Sequence, residues 1–269
     1  MTIDRSDAVA ALAFDPLSHE RWRLGYATPA EDTFGRHFFS DLLLPEDDDQ
    51  AGPAPKVTFY AQPIGVAAPV DVAALGSWLD PNARKYEPAT YLAFVPPESR
   101  GIADGIVALE DRRVDMRFRR FLAVRRTGTV EYAAYCVWRH PMQPIWLLNL
   151  KLLVLQFAQF VRFLDDVATA FDRPRRWQIY VNARQMSRSV VLGFGEGWAE
   201  PYRDFEEPSR CWDEQFQLVL EHDGEVSGID VLVGSFADRF DLAYGSTRGR
   251  AHNLRGDRVG EITFGGERY

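Results

Sequence analysis

Residues 145–171 form a 27-residue stretch that is apolar except for a few thinly spread polar side chains. These recur at steps of three or four residues or their multiples: Asn149, Gln156, Gln159, Arg162 and Asp166. Such spacing places them on one narrow stripe of a helix whose other faces are buried. Pro144 suits a helix start, and Pro174 disfavours helix in the residue before it. The stretch therefore predicts one long buried helix over residues 145–171.

A membrane span is the other interpretation of this stretch, because about 20 apolar residues cross a bilayer. Lys151 and Arg162 argue against it, since a mid-membrane Lys or Arg costs about 3 kcal/mol even on the insertion scale. The first eight residues lack a basic segment followed by an apolar run, so no signal peptide is predicted. We expect no membrane association and a cytoplasmic location.

Strand signals flank the long helix on both sides. Residues 119–124 and 130–138 read as two strands joined by the loop 125–129, in which Gly128 is available for positive φ. Further strands are predicted at 56–61, 90–95, 177–183, 189–192, 215–221, 228–233, 239–244 and 261–264, with a short helix at 70–79. The prediction is an α+β fold with a mixed or antiparallel sheet, covered by the helix 145–171 and followed by a β-rich C-terminal part.

Changes in composition mark boundaries along the 269 residues. Residues 45–55 are acidic and proline-rich, which predicts a loop or linker after an N-terminal extension, residues 1–44. An α+β core domain is predicted over 56–205. Residues 206–269 are predicted to be a β-rich extension of the main sheet or a small subdomain, and both alternatives fit the pattern.

The basic residues are unusual in kind, because only Lys56, Lys85 and Lys151 among the 31 are lysines. Such a bias is typical of a GC-rich bacterial genome, and the planar arginine fork also suits phosphate and carboxylate recognition. The net charge of −8 disfavours a general nucleic-acid coat. A local cluster between residues 112 and 126, interleaved with Phe118 and Phe121, nevertheless predicts a binding strip. The alternative is a solvated strand face. The predicted binding residues are Arg112, Arg113, Arg117, Arg119, Arg120, Arg125 and Arg126, together with Arg175 and Arg176.

Patterns that would support catalysis are sparse. The glycines near residue 195 follow a strand, but no helical pattern follows them, which disfavours a phosphate loop. The histidines are widely separated, and Cys136 and His140 would lie about 13 Å apart on an extended strand. No metal site and no cofactor is therefore predicted. If the chain is a hydrolase, the carboxylates of Glu196 and Glu200 are its candidate catalytic groups.

The succession of a strand at 57–64, a strand and turn at 120–131, a long helix and a strand at 178–183 resembles one known family. This is the C-terminal half of bacterial Alba-like, Schlafen-type DNA-binding proteins, and the similarity covers about residues 56–198. The resemblance implies an association with nucleic acid. The family's nucleic-acid-binding half carries an acidic–lysine signature near its start, and this chain departs from the family in lacking it.

Two functional hypotheses follow from the sequence. The first is a non-enzymatic binding or assembly module of a bacterial complex, with a protein partner and an association with DNA or RNA. The second is a metal-assisted hydrolase whose carboxylates are brought together by the fold. The first is preferred, because no catalytic motif is visible and the arginine residues are suited to charge-assisted hydrogen bonds.

Overall fold

The computed structural model describes residues 52, 54–65, 68–82, 98–102, 105–112, 118–134, 137–139, 144–191, 211, 213–244, 263–264 and 267–268. The predicted N-terminal extension, the strand predicted at 90–95 and the glycines near residue 195 lie outside these residues. Most of the predicted linker 45–55 does as well, but Ala54 at its end is buried in the core.

Twelve strands, three α-helices and one short 3-10 helix, Met186–Arg188, are found in the part of the chain that is described. The strands are β1 Lys56–Pro63, β2 Glu98–Ile102, β3 Gly105–Arg112, β4 Phe118–Arg125, β5 Val130–Ala134, β6 Val137–Arg139, β7 Trp146–Leu148, β8 Trp177–Arg184, β9 Ser189–Val191, β10 Gln215–His222, β11 Thr263–Phe264 and β12 Glu267–Arg268. The helices are α1 Val72–Asn82, α2 Leu150–Ala170 and α3 Val226–Ala243.

The main sheet has seven strands in the order β10-β8-β1-β5-β4-β3-β2. Every neighbouring pair is antiparallel. A second sheet of three strands, β6-β7-β9, combines one antiparallel and one parallel pair. The α+β class predicted from the sequence is therefore confirmed.

The predicted hairpin is present as β4 and β5, with Val124 opposite Val130. Gly128 in its turn has φ +89°, a conformation that L side chains rarely adopt. The second strand is shorter than predicted, because β5 ends at Ala134. Residues 137–139 form β6 and pair with β7 in the small sheet instead.

The long helix is confirmed, but it begins at Leu150 and not at residue 145. Residues 146–148 are all buried and form β7, so tertiary pairing overrides their helical pattern. Asn149 is the N-cap, and its Oδ1 accepts a hydrogen bond from the Leu152 N–H at 2.9 Å. The helix ends at Ala170, close to the predicted end, and Asp172 follows with φ +48°.

The core lies between one face of the main sheet and the three helices. Alternate residues of β1 and β8 face it, among them Val57, Phe59, Ile179 and Val181, because side chains alternate between the two faces of a strand. The ring of Phe59 lies 5.3 Å from the ring of Phe157 on α2 and 5.8 Å from that of Phe236 on α3. Packing of α2 and α3 is thus centred on β1.

The C-terminal part differs from its prediction. The strands predicted at 228–233 and 239–244 both fall within α3. Buried residues of α3 recur at helical spacing: Ile229, Leu232, Val233, Phe236, Ala237, Phe240 and Ala243. The strand predicted at 215–221 is confirmed as β10, and it extends the main sheet beside β8. Among the described residues, no helix combines the length and apolar character that a membrane crossing requires.

Candidate binding surface

Four connections converge at one end of the main sheet: 63–72, 125–130, 170–177 and 222–226. Their backbones are bonded to one another. The Ile64 N–H donates to the Arg176 carbonyl at 2.7 Å, and the Val70 N–H donates to the Arg126 carbonyl at 2.7 Å. This end of the sheet therefore brings together arginines that are about 50 residues apart in the chain. We call the group Arg126, Arg173, Arg175 and Arg176 the arginine edge.

Arg173 holds the connections in place. Its Nη1 donates to the Thr127 carbonyl at 2.5 Å, and its Nη2 donates to the carbonyls of Ala68 at 2.5 Å and Arg126 at 3.0 Å. The residue is only 6% exposed. Burial lowers the pKa of its guanidinium, but the ordinary pKa of arginine is high enough for the group to stay charged at neutral pH.

Local backbone geometry aims Arg173 at the hairpin. Asp172 takes a left-handed conformation after α2, and the Arg173 N–H then donates to the Ala168 carbonyl at 2.8 Å. Gly128 leaves room for the guanidinium, because a Cβ at that position would lie 2.2 Å from Arg173 Nη1. Gly224 has φ +84°, and a Cβ there would lie 2.5 Å from the Cβ of Arg175. Both glycines are therefore needed for the close approach of the connections.

The other three arginines of the edge, Arg126, Arg175 and Arg176, are exposed. Among the described residues, no carboxylate forms an ion pair with any of them. Four acids are also exposed on the same connections: Asp71, Asp172, Asp223 and Glu225. Two of these already accept main-chain hydrogen bonds, Asp71 from Ala74 at 3.1 Å and Asp223 from Glu225 at 3.0 Å. The surface is therefore mixed in charge, and its exposed guanidinium groups pair with no carboxylate in the described part of the chain.

Of the arginine strip predicted over 112–126, the structure describes the main-chain positions of Arg112, Arg119 and Arg120. Arg112 ends β3, and Arg119 and Arg120 lie in β4, where the register places Arg120 opposite Glu110 and Arg119 opposite Asp111. Since Arg120 precedes Arg126 by six residues, about 20 Å of strand and turn separates the two positions. Arg113 and Arg117 lie outside the described residues.

Arg125 requires a correction, because its side chain is buried and not available to a partner. Its Nη2 lies 3.1 Å from Oε1 of Glu131, which is also buried. Tyr60 is the cross-strand partner of Glu131 on the same side of the sheet. Burial, and then the charge of Glu131, raises the pKa of the Tyr60 hydroxyl well above its ordinary value. This group is a buried polar layer on the sheet face opposite the helices.

A histidine–carboxylate pair that the sequence did not predict joins β10 to α2. Nε2 of His222 lies 2.9 Å from Oδ1 and 3.0 Å from Oδ2 of Asp165. The two residues are 57 positions apart in the chain, so sequence spacing gave no sign of the pair. His222 is buried, and no hydrogen-bond partner for its Nδ1 is found in the described parts of the chain. The pair links two elements of the core, β10 and α2.

The residues proposed for the hydrolase alternative, Glu196 and Glu200, lie outside the described residues. Within the described ranges, no three His, Cys, Asp or Glu side chains form a group that could hold a metal ion. Burial raises the pKa of the Cys211 thiol to about 11, so this cysteine is not a reactive thiolate at neutral pH.

Three of the predicted binding residues, Arg126, Arg175 and Arg176, lie exposed on adjoining connections in the arginine edge. Arg173, which organises it, was missed because its three acceptors belong to connections 46 to 105 residues away. The only signal in the sequence was Asp172-Arg173-Pro174 after the long helix. Comparison with known protein families, with curated proteins and with solved structures finds no match for this chain.

Proposed function

We propose that this protein is a non-enzymatic binding module that engages a protein partner through the arginine edge. The observation that supports the proposal is the set of three exposed guanidinium groups on connections that the buried Arg173 holds together. Preorganised arginines make charge-assisted, often bidentate, hydrogen bonds to carboxylates. A carboxylate-bearing segment of another protein is therefore the preferred ligand.

The charges of the edge favour a protein over nucleic acid. Exposed acids stand on the same group of connections as the exposed arginines, and the chain carries a net charge of −8. Binding to a phosphate backbone depends on neutralising many phosphates with Lys and Arg, and nearby carboxylates oppose it. A mixed-charge surface matches a protein surface with charges of both signs, where complementarity gives specificity. Because the sequence resembles Schlafen-type proteins, nucleic acid is the alternative ligand that the experiments must test.

The test compares two double variants of the full chain. Arg175→Glu/Arg176→Glu reverses the charge of the edge, and Arg162→Glu/Arg239→Glu makes the same change in net charge on the outer faces of α2 and α3. Tagged proteins are recovered from cells that make the chain, and bound proteins are quantified by mass spectrometry. We expect the recovered amount of at least one partner to fall tenfold or more with the first variant and to be retained with the second.

The purified partner then has to bind the purified wild-type chain directly, with the same dependence on Arg175 and Arg176. Equal recovery of all proteins by both variants would refute the proposal.

Fluorescence anisotropy with single- and double-stranded DNA and RNA at two salt concentrations tests the other ligand. Salt-sensitive binding that Arg175→Glu/Arg176→Glu abolishes would replace the protein partner with nucleic acid. No observation on the described residues favours the hydrolase built on Glu196 and Glu200.

A further inference from the structure

Strand β10 is an edge of the main sheet, and its outer side pairs with no strand among those described. It is eight residues long, and all eight are paired with β8 on the inner side. An edge strand presents a row of main-chain N–H and C=O groups that can pair with another strand. Its length makes β10 a template for such pairing.

The composition of β10 offers little protection against pairing. Residues 215–220 contain neither charge nor proline. The opposite edge strand, β2, carries Glu98, Arg100 and Gly101 within five residues. Natural proteins block free edges with charges, proline or short strands, so an unblocked edge indicates that something covers it.

Exposed apolar residues occur on β10 and on the helix beside it. In the described part of the chain the exposed large hydrophobic residues are Val219 at 44%, Val231 at 71% and Leu242 at 58%. Val219 lies in β10, and the other two lie in α3, which packs against β10 through Phe216 and Phe240 at 4.9 Å. The unblocked edge and the exposed apolar side chains therefore belong to two adjoining elements.

We propose that β10 pairs antiparallel with β10 of a second copy of this chain, which joins two seven-stranded sheets into one continuous sheet. A strand that pairs with its own copy forms a closed two-fold contact, in which each residue meets its symmetry equivalent. The axis is perpendicular to the sheet and passes midway between the two copies of one β10 residue, and directly opposed residues share a face. Both copies of α3 then lie on the same face of the joined sheet, one on each side of the seam.

Side-chain chemistry favours the register in which the axis passes between the two copies of Val219. This register places the exposed Val219 of the two copies against each other and Leu218 opposite Leu220. It also places the side-chain amide of Gln217 opposite the carboxylate of Glu221. That carboxylate is exposed and can accept a hydrogen bond from the amide N–H. The side-chain amide of Gln217 has no hydrogen-bond partner among the described residues. No two like charges face each other, because Glu221 is the one acidic residue of β10.

The experiment measures the mass of the full chain in solution by sedimentation and light scattering over a range of concentrations. The wild-type protein is expected at twice the 30.6 kDa chain mass. Val219→Lys places two ammonium groups at the axis and is expected to weaken dimerisation at least tenfold. Ser77→Lys adds the same charge on the exposed side of α1, which packs near β2 and β3, and is expected to leave the dimer intact.

Mixing Val219→Lys with Val219→Glu tests the register, because opposite charges then meet at the axis. We expect the mixture to dimerise although each variant alone is monomeric. Circular dichroism shows whether each variant is folded. A monomeric wild-type protein would overturn the proposal and leave β10 for a strand of another protein. A dimer that persists in Val219→Lys would also overturn it, and failure of the mixture would overturn the Val219 register.

Discussion

The guanidinium of Arg173 binds carbonyls of Ala68, Arg126 and Thr127, which belong to two connections that are distant in sequence. No carboxylate within the described ranges lies at ion-pairing distance from this buried cation. Main-chain dipoles therefore solvate the charge, as water would at the surface. One side chain thus fixes the geometry of the turn that carries Arg126.

We expect Arg173→Met to lower the free energy of unfolding by about 3 kcal/mol, because it leaves buried carbonyls without donors and removes hydrogen bonds to a charged group. Arg175→Met, at an exposed position two residues away, should change it by no more than about 0.5 kcal/mol. Urea unfolding followed by fluorescence measures both. Equal effects of the two substitutions would contradict the role assigned to Arg173.

Tyr60 gives the protein a pH dependence in the alkaline range. Its pKa is raised in the folded state, first by burial and then by Glu131, so the folded protein holds the phenolic proton more tightly than the unfolded chain does. The stability from this difference is complete below pH about 10, the unfolded pKa, and is lost as the pH rises above it.

We therefore expect the free energy of unfolding of the wild-type protein to fall above pH 10 more steeply than that of Tyr60→Phe. The difference in slope should approach 1.4 kcal/mol per pH unit, the limit for one proton. Denaturant titrations between pH 8 and 11 measure it. Tyr180→Phe is the comparison variant. Tyr180 is less buried than Tyr60, although burial raises the pKa of its hydroxyl as well. Parallel curves for wild type and Tyr60→Phe would be inconsistent with a buried neutral phenol.

At the scale of elements, α2 begins where a side chain caps it. Asn149 was first read as part of a polar stripe, yet its Oδ1 satisfies the N–H of Leu152 and lets residues 146–148 pair as β7. A cap of this kind separates the strand β7 from the helix α2 within one largely apolar stretch. The boundary depends on one amide group.

We expect Asn149→Ala to destabilise the protein by about 1 kcal/mol, the usual effect of losing an N-cap acceptor. Asn149→Asp keeps the acceptor and adds a negative charge at the helix N-terminus, so it should stay close to wild type. Thermal unfolding of the three proteins provides the measurement. If alanine and aspartate cost the same stability, the cap is not the cause.

Elements with a strong local signal could be predicted from the sequence. The hairpin of β4 and β5 has apolar runs around Gly128, and β1, β8 and β10 appear within two residues of their predicted bounds. Helix α3 could not, because Ile229, Val231 and Val233 suggested strands while the buried residues follow a helical period. The arginine edge and the His222–Asp165 pair depend on long-range contacts, which local patterns do not encode.

At the scale of the whole molecule, the proposed dimer determines how the two arginine edges are placed. A two-fold axis between the two copies of Val219 places the two arginine edges at opposite ends of the seam. Residue 223 is four positions from the axis, so the two edges would be separated by roughly 27 Å along the seam. Each edge would then engage its own partner, and the dimer would be a bivalent assembly.

The central position of β1 also has a consequence for folding during synthesis of the chain. Its two neighbours in the sheet, β5 and β8, are made later, and the last residue of β8 follows the end of β1 by 121 residues. At roughly 5–20 residues per second, the ribosome needs about 6–24 s to supply them. For that time at least one side of β1, a largely apolar strand, has no neighbour in the nascent chain, and protection by a chaperone at the ribosome is what this topology calls for.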